Sequence, residues 1–178
     1  MKKFIGILLM NVFFIFLCPA QENKPIEGYD GFPWGTTIRK VTKKYPYGRD
    51  TAAANLREYC VTDKTSSYPI VCSKTFRFYE RKLYFGETDY SYYWGEGGEE
   101  QLAKLYDDVL SDLKKEYNLG THRSSDIQKL SNDYIAYISR WVISLTCYIE
   151  LVKVENPSGI QLIAVMFYNP LERSKAEQ

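Results

Sequence analysis

The chain contains one histidine, His122, in the run Thr121-His122-Arg123-Ser124-Ser125-Asp126. Serine chemistry needs an imidazole within reach of a hydroxyl and oriented by a carboxylate, and this run holds all three residue types. It is also a polar segment just beyond a helix end, where an imidazolium complements the helix dipole. No catalytic role is assigned to it. Carboxylates cluster at Glu96, Glu99 and Glu100 and again at Asp107, Asp108 and Asp112. Glycoside hydrolysis needs two carboxyl groups facing across a cleft in divided roles. These instead fall on the first turn or the solvent face of a predicted helix, where capping and solvation account for them. The acidic spacing is not that of a calcium loop, and one histidine among few cysteines makes no zinc set. The sequence therefore predicts no catalytic residue, metal or cofactor.

Two other residue sets carry expectations. Cys60 and Cys72 lie symmetrically about Ser66 in two β-like runs, so a hairpin centred there would set them opposite one another in a disulfide. Such a bridge would stabilise the fold by about 3 kcal/mol. Cys147 alternates with Ile143, Leu145, Ile149 and Leu151 and reads as a small core residue. The second set is Tyr90, Tyr92 and Trp94, which share one strand face in continuation of Tyr84. Flat aromatics in a row can stack on sugar rings or anchor a protein partner, and they can equally be core beneath a helix. Arg39, Lys40, Lys43 and Lys44 give a short helix a basic outer face, read as solvated.

The first twenty residues form a secretory signal: Met1-Lys2-Lys3, an apolar run from Phe4 to Leu17, and Cys18-Pro19-Ala20 before a polar stretch. The apolar run is shorter than the roughly 20 residues that span a bilayer. Cleavage after Ala20 is the expectation, with lipid attachment at Cys18 as the alternative. Leu17, however, is large for the position before an acylated cysteine. Of 178 residues, 158 remain after removal of the first 20, a length suited to one domain. Losing Lys2 and Lys3 takes the net charge from +1 to −1, which gives no general attraction to nucleic acid. The oligomeric state is left open.

The elements that must position these residues follow from periodicity and turn chemistry. A polar leader spans 21–31, a folded domain 32–171, and a polar tail 172–178. Thr36 is placed as the N-cap of a short helix carrying Ile38, Val41 and Tyr45 and ended by Pro46. A loop over 47–57 leads to strands over 58–63, 69–79 and 82–93, with a tight turn at Glu80-Arg81. Leu102, Leu105, Tyr106, Val109, Leu110, Leu113 and Tyr117 then mark an amphipathic helix from Glu99 that Gly120 stops. A loop over 121–133 precedes strands over 134–138, 141–154 and 160–168, the last two joined by a turn at Asn156-Pro157-Ser158-Gly159. The predicted fold class is α+β: an antiparallel sheet with two helices packed on one face, in the order α-β-β-β-α-β-β-β. Each half runs helix then strands, as a diverged internal duplication would, although no residue-level repeat supports one.

The segment Phe32-Pro33-Trp34-Gly35-Thr36-Thr37 before the first helix resembles the opening of many small exported bacterial α+β proteins of uncharacterised function. The helix-then-sheet layout is similar to that of BamE-type outer-membrane assembly modules and of β-lactamase-inhibitor modules. The resemblance covers about ten residues, and the chain lacks the good lipobox of the BamE type. The absence of catalytic chemistry and the aromatic strand end, rather than the resemblance, point to an exported, non-catalytic binding or interaction module of the bacterial envelope with an envelope protein or a glycan as partner. A small-ligand or carbohydrate-binding domain is the alternative, and an unrecognised hydrolase comes last. No residue role is carried over.

Overall fold

The computed structural model describes residues 23–63, 70–92, 98–120, 124–131, 133–144 and 147–169. The elements are β1 (Gly28–Tyr29), β2 (Phe32–Pro33), α1 (Ile38–Lys44), β3 (Arg49–Ala53), β4 (Leu56–Asp63), β5 (Ile70–Tyr79), β6 (Lys82–Tyr92), α2 (Gly98–Tyr117), β7 (Ser124–Lys129), β8 (Ile135–Ser144), β9 (Cys147–Asn156) and β10 (Gly159–Tyr168). Strands β3 to β10 form one antiparallel sheet in the order β3-β4-β5-β6-β10-β9-β8-β7, and β1 pairs with β2 in a separate hairpin. This corrects the α+β expectation and its order. The chain is mostly β, 57% strand against 21% helix.

Each departure has a local cause. All residues of β3 and β7 are exposed, so neither edge strand carries an alternation of apolar and polar residues. The run read as one strand over 141–154 is two, β8 and β9. They pair antiparallel with Ser144 opposite Cys147, and no Gly, Pro, Asn or Asp lies between those two residues in the sequence to signal a turn. Helix α2 ends before Gly120: Asn118 adopts φ 55° and Leu119 N donates to Lys114 O at 3.0 Å, closing the last turn. Helix α1 begins after Thr37 rather than Thr36, with no side-chain cap bond.

The sheet is two four-stranded meanders, β3–β6 and β7–β10, each preceded by a helix and joined along β6 and β10. Strands β5 and β9 begin 77 residues apart (147 − 70), and so do β6 and β10 (159 − 82). Thr88 pairs with Val165 across the seam, again 77 apart (165 − 88), which puts a local two-fold axis through that pair. The duplicated layout is therefore present in topology and register.

Both helices lie on one face. Val41 of α1 packs with Tyr59, Phe76, Phe78 and Leu83, while Leu102 and Leu113 of α2 pack with Ile149, Leu151, Ile163 and Val165. Trp34 and Phe167 belong to both clusters and join them. At the join Gly86 has Tyr29 lying on it: a Cβ there would sit 2.0 Å from the Tyr29 ring. Tyr29 packs on Phe76 and Phe167, with ring centroids 5.1 and 5.7 Å away. Its hydroxyl donates to Glu87 O at 2.5 Å and lies 2.7 Å from Thr88 Oγ1. The opposite face carries two apolar clusters, one around Ala136, Val152, Val154 and Ala164 and one around Phe85 and Tyr168. Neither cluster contains a helix residue. At the β7 edge the Asp126 carboxylate accepts from Ile127 N at 2.8 Å.

The register also corrects the disulfide expectation. Cys60 stands opposite Thr75 and Cys72 opposite Asp63, so the two thiols leave opposite faces of the sheet, and neither is in a disulfide. A hairpin centred one or two residues from Ser66 is enough to separate them.

Gly86→Ala is expected to push Tyr29 off the seam and destabilise the protein by about 1–3 kcal/mol, read as a lowered midpoint in urea unfolding.

Candidate functional site

The segment entering the fold is a strap across the helical face rather than a free leader. Lys24 N donates to Tyr117 O at 3.0 Å, tying the strap to the end of α2. Ile26 is buried, and its carbonyl accepts from Trp34 Nε1 at 2.9 Å. The chain then turns at Asp30-Gly31, where φ values of 52° and 79° suit the two-residue hairpin that an Asp-Gly pair favours. Between this strap, the end of α2 and the sheet lies a cleft of about 710 Å³. Its floor is Lys74, Thr88, Tyr90 and Phe167, and its rim includes Lys24 and Tyr117. Tyr90 and Phe167 are themselves 77 residues apart, so the floor straddles the local two-fold axis.

The hairpin tip is fixed by charge. The Asp30 carboxylate accepts from Lys74 Nζ at 2.7 Å, Lys44 Nζ at 3.0 Å and Tyr45 Oη at 2.5 Å. Burial opposes its ionisation, yet the bonds from Lys74, Tyr45 and Lys44 outweigh that and hold the carboxyl below its ordinary value. For Lys44 and Lys74 burial likewise disfavours the charge, and Asp30 more than restores it. The Lys44 ammonium also sits 5.0 Å from the ring centres of both Phe32 and Tyr45. Lys44 of the basic set on α1 thus clamps the strap while staying exposed, as are Arg39, Lys40 and Lys43.

Both lysines of the cleft are paired, and Glu27 adds a further carboxylate to its lining. Asp30 pairs with Lys74, and Lys24 lies 3.9 Å from Glu116. Burial raises the Tyr90 phenol above its ordinary value, with a contribution from Cys72, and pushes Tyr117 up to about 12. Both stay neutral through the physiological range. The cleft thus offers ring surfaces and neutral hydroxyls beside paired ions, with no activated nucleophile among them.

The aromatic row is divided by the structure. Tyr90 lines the cleft. Tyr92 is half-buried against the start of α2, so close that a Cβ on Gly98 would come within 2.4 Å of its ring. Trp94 lies outside the described residues, as do His122, Glu96, Cys18 and the whole export segment. Glu100, Asp107, Asp108 and Asp112 are exposed on α2. Among the described residues no group of three or more His, Cys, Asp or Glu is placed to hold a metal ion. The residues that build the cleft wall were within reach of sequence reasoning only through the Asp30-Gly31 pair, which is a hairpin signal lying inside the segment read as a leader.

No protein-family model, curated protein or solved structure matches this chain.

Replacing Asp30 with Asn removes the ionic clamp, and a loss of about 1–2 kcal/mol at pH 7 is expected. Because the Asp30 carboxyl is lowered by folding, its contribution is full above the ordinary carboxyl range and fades as pH falls through its folded value. The gap between the wild type and Asp30→Asn in urea unfolding should therefore narrow between pH 5 and pH 2.

Proposed function

We propose that this is an exported, non-catalytic binding module of the cell envelope that holds a short stretch of neutral, polyhydroxylated ligand, a glycan, in the cleft between the strap, α2 and the sheet. The observation that carries the reading is the composition of that cleft: Tyr90 and Phe167 form its floor, and both of its lysines are paired with carboxylates, Lys74 with Asp30 and Lys24 with Glu116. A sugar ring presents a flat C–H face to an aromatic and a rim of hydroxyls to ammonium and carboxylate groups, so it needs both features together. An anionic ligand would have to break the Asp30–Lys74 pair before gaining Lys74. The export signal puts the module where envelope and extracellular glycans are found. No helix among the described residues is long and apolar enough to cross a membrane.

An envelope protein docking on the aromatic strand end is less well supported, because the packing of Tyr92 under α2 interrupts the row. Titration of 15N-labelled protein with chitotriose, maltotriose and a muropeptide disaccharide tests the glycan reading. Binding of at least one should move the amides of Thr88, Tyr90 and Phe167, and Tyr90→Ala should weaken it about tenfold or more, the equivalent of 1.4 kcal/mol. Unmoved cleft amides at millimolar sugar, or undiminished binding by Tyr90→Ala, would overturn the assignment.

A further inference from the structure

On the face of the sheet opposite the helices, Glu87 and Asp89 occupy alternate positions of the central strand β6 and so point the same way. Two carboxylates side by side on one strand face repel one another, and the Asp89 charge favours a proton on Glu87. Their surroundings supply little else to neutralise two charges. Across the seam stand Met166 opposite Glu87 and Ala164 opposite Asp89. On β5 the neighbours are Thr75 and Ser73, the latter with its hydroxyl 3.5 Å from Asp89. Farther along β10 and β9, Tyr168 donates to Glu150 at 3.0 Å, and Glu150 is already engaged by Arg140.

Among the described residues the cation that reaches the pair is Arg77 of β5, and it is shared. Its Nε donates to Glu58 of β4 at 2.8 Å, while its Nη2 stands 3.9 Å from Glu87. The guanidinium lies 4.4 Å from the centre of the Phe85 ring, a flat platform over which it can swing between the two acids. Cys60, also on β4, faces the same side, with its thiol 3.5 Å from Glu58. Glu58 belongs to β4, which alone holds the fully exposed edge strand β3 in the sheet.

We propose that Glu87 and Asp89 hold one proton between them and that its loss draws Arg77 from Glu58 toward Glu87, making the open face a pH-operated clamp on the β3–β4 edge. With the proton in place Arg77 serves Glu58 and ties β4 to β5. Without it, two adjacent carboxylates compete with Glu58 for Arg77. Burial, and then the neighbouring Asp89 charge, push Glu87 up to about 7, and Asp89 is raised as well, so the change falls near neutral pH. An exported protein experiences the pH of its surroundings directly, which gives such a clamp something to read.

The sign follows from linkage. The folded protein holds this proton more tightly than the unfolded chain, so stability falls as pH rises from the ordinary carboxyl value to about 7 and is level beyond it. Side-chain carboxyl and Arg77 Nε resonances, followed by NMR from pH 4 to 9, test the proposal together with thermal unfolding and amide exchange. The wild type should show a Glu87 titration near neutral pH and an Arg77 Nε shift at the same midpoint. Its Tm should fall by several degrees between pH 5 and 8, and exchange of β3 and β4 amides should rise with pH beyond the intrinsic rate. Glu87→Gln should abolish the Tm slope. Glu58→Gln should keep the carboxyl titration but remove the Arg77 shift, since Glu58 no longer holds the guanidinium at low pH. Titration of both carboxyls below pH 5, a Tm slope unchanged in Glu87→Gln, or an Arg77 signal that ignores the titration would each overturn the clamp.

Discussion

The fold depends on the pairing of β6 with β10. Each meander alone is a four-stranded sheet with an open side, and this pairing is the only place where the two sheets become one. The helical-face core crosses it through Phe167 and Trp34, which touch both clusters. Tyr29 is pinned to it, with its ring on Gly86 and its hydroxyl on Glu87 O and Thr88. A ring buried this way gives up water over its whole surface, which is tolerable because its hydroxyl is satisfied within the fold. The strap, and hence one wall of the cleft, is therefore placed by the same backbone pairing that closes the sheet.

The two faces of that sheet solve different problems. The helical face is covered by side chains from α1, α2 and the strap; many of its polar groups are paired or line the cleft, while the buried Trp141 Nε1 has no partner among the described residues. The other face has no helix among the described residues, and it meets solvent with mixed apolar and charged patches. Polar side chains there are arranged in chains across strands, such as Arg77 between Glu58 and Glu87 and Arg140 beside Glu150. Such pairs contribute little where water screens them, and more where neighbouring rings such as Phe85 exclude it. The helical face thus fixes position, and the open face leaves room for charge to rearrange.

How much of this was legible in the sequence depends on where each residue ends up. The stripe from Leu102 to Tyr117 gave α2 almost whole, because one buried and one solvated face impose a 3.6-residue period. Strands β5, β6 and β10 were readable for the corresponding reason. Strands β3 and β7 were not, since a strand exposed all round has no pattern to display. The break between β8 and β9 was hidden because none of the residues that mark turns lies between Ser144 and Cys147. The register that separates Cys60 from Cys72 is set by long-range pairing, beyond the reach of local spacing. Tyr90 was singled out for its ring and does line the cleft. Asp30, Lys44 and Lys74 were not linked, because an ionic clamp among residues 14 to 44 positions apart leaves no local trace. Glu87 and Asp89 passed as an ordinary alternation of polar residues on a strand.

The Asp126 contact at the β7 edge has a bearing on how such molecules behave when crowded together. A sheet that ends in bare strands is a template on which another strand can crystallise, copy after copy. At Ile127 the donor that a newcomer would have to capture is already held by the neighbouring carboxylate. Any strand laid along that border must first evict an anion and leave it without its partner. Growth of the sheet outward thus begins at a loss, and a chain built by joining two sheets side by side is discouraged from adding a third.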